Sequence, residues 1–248
     1  MIKVLINGCN GKMGQVVAKQ IELNSGFNVI AGVDITSNAE NNFPVYTSPN
    51  DIKEKPDVII DFSIPVSALN IVKYAAENNV PIVVATTGIT DEELKTIKSY
   101  SKTIPIFKSA NMSYDINIMA DIAAKLAKLL PESDIEIIET HHNNKIDAPS
   151  GTALLLADSI NNSLDNQMIY EYDRHVKKEK RNKKEIGIHS VRGGTEVGKH
   201  SIIFYGENES FEITHSATSR VVFANGALKA AEFLTTQKPG FYSMKDLV

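Results

Sequence analysis

Short apolar runs alternate with amphipathic stretches through the first 112 residues. Residues 2–6 (Ile-Lys-Val-Leu-Ile) form a strand-length apolar run, followed by a glycine-punctuated polar turn over 7–14. Residues 15–23 then show helical spacing, and 27–33 read as a second strand ending at Asp34. The polar, proline-punctuated segment 38–50 reads as loop. The alternation resumes with strands over 56–62, 80–88 and 104–107 and helices over 66–77 and 91–98. The second of these helices opens with Asp91, Glu92 and Glu93, where the macrodipole favours acids. Strands alternating with helices predict a parallel sheet with helices on both faces.

The pattern changes after residue 112. Ile116, Met119, Ala120, Ala123, Leu126, Ala127 and Leu130 share one face of a predicted helix that Pro131 ends, and this helix is expected to bridge two domains. An apolar run at 134–139 reads as a strand and 154–160 as a helix. After a polar segment reaching about residue 184, strand patterns follow at 185–192, 201–205 and 209–215. Strands in succession without long helices imply an antiparallel or mixed sheet. A four-stranded sheet with one exposed apolar face would suit oligomer packing. A last helix is expected over 223–234. The fold class is therefore α/β: a Rossmann-type parallel-sheet nucleotide domain joined to an α+β mixed-sheet domain for substrate and oligomerisation. No internal repeat or heptad array is visible.

Composition narrows the function classes. The 248-residue chain has 42% hydrophobic residues, ordinary for a globular protein. A net charge of −4 and a pI near 5.9 give no global basic surface for nucleic acid. The local basic run over 177–184 reads as a solvated loop, with an anion-attracting rim as the other reading. One cysteine, Cys9, excludes an intramolecular disulfide and fits a reducing compartment; a catalytic thiol is not expected there. No apolar run reaches membrane-spanning length and no signal-peptide pattern opens the chain, so the expectation is a cytoplasmic protein.

The turn Gly8-x-x-Gly11-x-x-Gly14 lies between a strand and a helix, and Asp34 follows 20 residues after Gly14. Glycines let the backbone approach a pyrophosphate, the helix N-terminus offers N–H groups, and the acid can accept from a ribose. Spaced this way the glycines depart from G-x-G-x-x-G, so the flanking elements carry the reading. Residues 61–63, 85–88 and 108–112 fall at the carboxyl ends of predicted strands, where such sheets bind ligands. The densest chemistry is the strand-to-helix stretch 139–153. His141 or His142 can move a proton near neutral pH, and Lys145 adds a cationic donor or anion stabiliser. Ser150-Gly-Thr152 opens a helix, so its N–H groups and hydroxyls are expected to face outward as an anion cradle. Asp147 reads as an orienting partner or a turn residue. Adjacent histidines on a strand point to opposite faces, no second cysteine is present, and no metal is expected. Together these residues predict hydride transfer from a nicotinamide to a small anionic substrate.

Over nearly the whole chain, the sequence resembles the dihydrodipicolinate reductase family. The turn at 7–14 resembles its G-x-x-G-[RK]-M-G motif, and 85–88 and 109–112 resemble its further cofactor loops. The stretch 139–153 resembles its long signature E-x-H-H-x-x-K-x-D-x-P-S-G-T-A, and segments 192–200 and 213–226 also fit. The resemblance implies NADH- or NADPH-dependent reduction of a cyclic 4-hydroxy dicarboxylate in diaminopimelate and lysine biosynthesis. It implies His141 as proton donor/acceptor, Lys145 as proton donor, and His142, Gly151 and Thr152, beside the Ser150 cradle, as substrate-binding. It implies cofactor contacts from Gly8, Cys9, Asn10, Gly11, Lys12, Met13, Asp34, Ala85, Thr86, Thr87, Ser109, Ala110, Asn111 and Met112. It implies a homotetramer built through the C-terminal sheets, and a last helix that returns to the nucleotide part. The domains would then be 1–112 with 217–248 for the dinucleotide, and 113–216 for substrate and tetramerisation. Ala85 stands where the family's loop carries glycine, and Ile35 follows Asp34 where a basic residue would favour NADPH. Asp34 favours NADH by repelling a 2′-phosphate, whereas Lys12 can accept one. Two rivals remain: a nucleotide sensor without turnover, which has no need of His141 and Lys145, and another small-acid hydride enzyme, which should lack the 139–153 signature.

Overall fold

The structure, a computed structural model, describes residues 1–247 except 38–40, 110 and 176. In chain order its elements begin with β1 (Ile2–Asn7), α1 (Lys12–Glu22), β2 (Phe27–Val33), β3 (Val45–Tyr46), β4 (Val58–Asp61) and α2 (Pro65–Glu77). Next come β5 (Ile82–Val84), α3 (Asp91–Tyr100), β6 (Pro105–Lys108), α4 (Tyr114–Leu129), β7 (Asp134–His141) and α5 (Gly151–Ser163). The chain closes with β8 (Ile169–Glu171), β9 (Glu185–Arg192), β10 (Gly198–Tyr205), β11 (Ser210–Ala217), α6 (Val221–Leu234) and β12 (Gly240–Tyr242). Contacts divide it into two compact units, Met1–Tyr114 together with the chain from Arg220 onward, and Asp115–Ser219.

The first unit holds a seven-stranded sheet in the order β12-β6-β5-β4-β1-β2-β3, parallel throughout. Its strands are apolar on both sides, as burial on both faces requires. Val4 and Ile6 of β1, with Val58 and Ile60 of β4, pack with Val17 and Ile21 of α1 and Ala227, Ala231 and Leu234 of α6. The intervening Leu5 and Ile59 pack on the other side with Ile71 and Val72 of α2 and Ile97 of α3. Thr90 caps α3: its hydroxyl accepts from the Glu93 N–H while the Glu93 carboxylate accepts from the Thr90 N–H, a capping box. The segment read as loop contains β3 and a single 3-10 turn at Pro49–Asp51, and its residues 38–40 lie outside the described residues.

The second unit holds a five-stranded mixed sheet, β11-β10-β7-β9-β8. β9 runs parallel to β7 and β8, whereas β10 runs antiparallel to β7 and β11. One face, carrying Ile135, Ile137, Ile186, Ile188, Ile202 and Phe204, packs on Ala123 and Ala127 of α4 and Leu156 and Ile160 of α5. Two expectations change. The sheet has five strands, not four, because three-residue β8 is too short to show a period. Its other face is mixed, with Thr140, His189, Lys199 and Thr214 beside Ile138 and Ile203. α4 starts at the boundary: Tyr114 belongs to the first unit, and from Asp115 on the helix lies in the second, where its apolar stripe is part of that core.

The basic run 177–184 is also pinned, through Arg181 and Lys177. Arg181 Nε donates to Glu136 at 3.0 Å and its Nη1 to Asp134 at 3.2 Å, while Nη2 reaches the Ile135 and Glu185 carbonyls at 2.9 and 2.8 Å. Lys177 pairs with Glu171, and the preceding Arg174 pairs with Glu185. Internal carboxylates thus consume much of the charge that the sequence offered to solvent or to an anion. Among the described residues, no helix is long and apolar enough to cross a membrane.

Candidate active site

In the first unit the glycine turn leaves β1 at Asn7. Gly8 has φ +78°, a left-handed conformation that glycine adopts without strain, and a Cβ there would lie 2.7 Å from the Phe62 carbonyl oxygen. Gly14 sits under the turn, where a Cβ would overlap the Gly8 carbonyl oxygen. Gly11 is the N-cap of α1 and supplies no side-chain cap, so the first turn of the helix is not closed off by its own cap residue. Asp34 fixes the turn: Oδ2 accepts from the Asn10 N–H and Oδ1 from the Ile35 N–H, both at 2.8 Å. Asn10 Nδ2 in turn donates to the Thr36 carbonyl at 2.9 Å. Lys12 is exposed and Met13 half-buried. Cys9 is fully buried against Gly32, and burial pushes its thiol up to about 11, so its side chain belongs to the core, where Sγ also donates to Asn10 Oδ1 at 3.6 Å.

Beside the turn, a cleft of about 350 Å³ is lined by Met13, Ala85, Thr86, Thr87, Ser109, Asn111 and Met112, with Phe62, Ser63 and Phe223. Its predicted residues come from the carboxyl ends of separate strands, as parallel topology dictates. Ala110 lies outside the described residues. Phe223 went unnoticed because it arrives on the first turn of α6, over a hundred residues downstream. Under the cleft, the fully buried Asp61 accepts from Asn7 Nδ2, Thr86 Oγ1 and the Ser63 N–H, at 2.8, 2.8 and 3.2 Å. Burial raises its pKa and these bonds offset part of the rise. Lys108 Nζ donates to the Thr86 carbonyl at 3.0 Å, and burial lowers its pKa. A larger open hollow of about 630 Å³ lies at the opposite strand ends, around Met1, Asp57 and Pro81, and holds none of the predicted residues.

In the second unit, β7 alternates so that Ile135, Ile137, Glu139 and His141 all face inward. The last two place polar groups at the end of an apolar face. His141 Nδ1 lies 2.6 Å from Glu139 Oε2. Arg192, directly across on β9, grips the same carboxylate with Nη1 and Nη2 at 2.7 Å each. The Ser150 N–H reaches Oε1 at 3.1 Å. Burial alone would raise the Glu139 carboxyl, but the bonds from Arg192, His141, Ser190 and Ser150 outweigh it and hold it at about 2. Burial lowers the His141 pKa, and Glu139 opposes that shift. His200, opposite Glu139 on β10, stands edge-on to His141 with ring centroids 5.1 Å apart. Its Nε2 contacts Ser150 Oγ at 3.0 Å, and burial pushes it down to about 4.

Lys145 pairs with Asp147 at 2.9 Å, which settles Asp147 as a side-chain partner of the lysine. Burial would raise the Asp147 carboxyl, but Lys145 outweighs it and the pKa falls. The His142 N–H donates to the Glu196 carbonyl at 2.8 Å, and its buried Nδ1 has no hydrogen-bond partner among the described residues. Gly151 is exposed with open space where a Cβ would stand, and Thr152 follows it in the first turn of α5. The expected outward hydroxyl at Ser150 is corrected: Ser150 is buried, its Oγ accepts from the Ala153 N–H as N-cap and meets His200, so any outward cradle rests on residues 151 and 152. Among the described residues, no group of three or more His, Cys, Asp or Glu is placed to hold a metal ion. Sequence reasoning gave Arg192 and His200 no site role, although they bound the segment 192–200 that fits the family.

Residues 2–112 match the family model described as dihydrodipicolinate reductase, N-terminus, and residues 115–248 match that described as dihydrodipicolinate reductase, C-terminus. A 4-hydroxy-tetrahydrodipicolinate reductase of Caldanaerobacter subterraneus subsp. tengcongensis is 55% identical over 248 residues, spanning 100% of this chain and 98% of that protein. That of Clostridium novyi is 43% identical over 249 residues, spanning 100% and 98%. A solved dipicolinate-bound dihydrodipicolinate reductase from Paenisporosarcina sp. TG-14 aligns with a TM-score of 0.82 and 27% identity, covering 100% of both chains. The diaminopimelate dehydrogenase of C. glutamicum, at 12% identity and a TM-score of 0.60 over 98% of this chain and 92% of that one, shares the fold.

Proposed function

This chain belongs to the dihydrodipicolinate reductase family, and we propose that it reduces 4-hydroxy-tetrahydrodipicolinate to tetrahydrodipicolinate, in the cytoplasm, with NADH or NADPH. Net, the ring's 4-hydroxyl departs as water with one proton and a hydride takes its place, so each turnover consumes one hydride and one proton. The observation that carries the reading is the proton-handling cluster at the end of β7: His141 backed by buried Glu139, with Lys145 on the loop that follows.

The first unit fits a pyridine dinucleotide, because side chains at Gly8 and Gly14 would fill the space where the turn closes on itself. When bound, the nicotinamide supplies the hydride. The N–H groups of Lys12 and Met13, at the positive end of α1, would meet the pyrophosphate, while the Gly11 N–H closes the turn on the Gly8 carbonyl at 3.1 Å, and Asp34 would accept from the adenosine ribose. Ala85 to Thr87 with Ser109, Asn111 and Met112 line the nicotinamide side of the cleft. The carboxylate of Asp34 favours NADH. In the second unit, His142, Gly151 and Thr152 hold the substrate carboxylates, while His141 and Lys145 move protons. The mixed outer face of the second sheet packs against other copies in a homotetramer.

The test is nicotinamide oxidation with substrate made in place by a coupled synthase, for wild type, His141→Gln and Lys145→Ala. Turnover in wild type, with kcat lower by roughly a hundredfold or more in both variants, supports the assignment. A folded protein that binds nucleotide yet turns over with neither cofactor refutes it in favour of a sensor.

A further inference from the structure

Besides the Ser190 hydroxyl, four donors converge on the wholly buried Glu139. Arg192 Nη1 and the His141 ring meet Oε2 at 2.7 and 2.6 Å; Arg192 Nη2 and the Ser150 N–H meet Oε1 at 2.7 and 3.1 Å. A guanidinium and a backbone N–H can only donate. Both oxygens therefore accept, the two-pronged guanidinium contact holds the carboxylate in its ionised form, and the remaining contact then runs from Nδ1–H of His141 to Oε2. That fixes the neutral ring as the Nδ1–H tautomer and leaves the lone pair on Nε2. Nε2 faces the one strand position opposite it that lacks a side chain: a Cβ on Gly198 would stand 3.0 Å away. The same guanidinium does a second job. Arg192 Nη2 donates to the Asp147 carbonyl at 2.6 Å, and the Asp147 side chain pairs with Lys145.

We propose that Glu139 and Arg192 form one positioning unit for the reaction, setting the tautomer of His141 and anchoring the loop residue that pairs with Lys145. The proposal rests on the reading that His141 and Lys145 handle protons. Neither Glu139 nor Arg192 needs to touch substrate. The groups facing His141 are Glu139 on its own strand, Arg192 on β9, His200 on β10, and Lys145 on the following loop. Glu139 favours the protonated ring; Arg192 and Lys145 oppose it. Arg192 neutralises the carboxylate, so Glu139 can orient the ring without keeping it permanently charged, as a carboxylate behind a catalytic imidazole does elsewhere.

Glu139→Gln is a severe probe of this arrangement, because each oxygen takes at least two donors and an amide group would meet donors in either orientation. Expected are a kcat lower by about a hundredfold, on the order seen when an imidazole's orienting carboxylate is neutralised or lost, and a KM changed by less than about threefold. Glu139→Asp should recover part of the rate. Nitrogen NMR of ring-labelled wild type should report His141 protonated at Nδ1 above its titration. Arg192→Gln should move that titration to higher pH, since a cation is removed and Glu139 is left with its full charge. A wild-type ring protonated at Nε2 overturns the proposal without any variant. So does Glu139→Gln with unaltered kcat, or Arg192→Gln with an unmoved titration. If instead His141→Gln keeps full activity, it is the proton-transfer reading that fails, and the tautomer measurement still stands on its own.

Discussion

Acid should weaken this protein in two successive windows, each set by one buried residue of the second sheet. His200 is 4% exposed, and its ring sits at about 4 against an ordinary 6.5, chiefly from burial and then from the nearby His141. Between those values the unfolded chain binds a proton that the folded chain refuses. Stability therefore falls as pH drops from about 6.5 to about 4. At 1.36 kcal/mol per pH unit the full window is worth about 3 kcal/mol. Glu139 acts in the next window: its stabilisation is complete above about 4.5 and lost as pH falls towards about 2. Replacing His200 by Gln, which retains a donor for Ser150, removes the first window only. Urea unfolding followed by circular dichroism at pH 7, 5.5 and 4.2, at one fixed protein concentration, measures the difference. Wild type should lose about 3 kcal/mol more than His200→Gln between the extremes. A double difference below about 0.5 kcal/mol would show that the His200 ring does not resist protonation, and the argument from burial would be wrong.

Two further outcomes follow from contacts already described. Gly198→Ala places a methyl 3.0 Å from His141 Nε2 and 3.4 Å from its Cδ2, so the ring must yield by a few tenths of an ångström against its bond to Glu139. Steady-state kinetics should show kcat down about tenfold, and thermal unfolding a loss of about 1 kcal/mol; unchanged kcat would mean the ring has room that the structure does not show. Asp34→Asn removes the charge that opposes a 2′-phosphate, and the NADPH-to-NADH ratio of kcat/KM should rise about tenfold, equivalent to about 1.4 kcal/mol; a ratio that stays put would free Asp34 of any selecting role.

The unit from β1 to β2 was legible because its signals are local: apolar strand runs, glycines at the turn and an acid at the second strand's end. The strong alternation of β7 was legible for the same reason. β3, β8 and β12 were not: they are two or three residues long and lack the flanking apolar run that made the equally short β5 legible. The reactive loop could be found from its density of His, Lys and Asp. What anchors it could not, because Arg192 meets Glu139 across a separation of 53 residues and only the placing of β9 beside β7 joins them. Ser150 shows the opposite failure. Its hydroxyl looked like part of an anion cradle, but the inward turn of the chain hands it to Ala153 and His200.

The route of the chain has a consequence for synthesis. Residues 115–219 are contiguous, so that unit is fully specified once its last strand has been made. The first unit is not. Ala224, Ala227, Ala231 and Leu234 of α6 cover Val4, Ile6, Val58, Ile60 and Val83, and β12 completes the sheet beside β6. Until those segments leave the ribosome, one apolar side of the first sheet is covered only by α1. A pulse of protease on stalled nascent chains should find the internal unit protected first and the N-terminal unit last, an inversion of the usual N-to-C order.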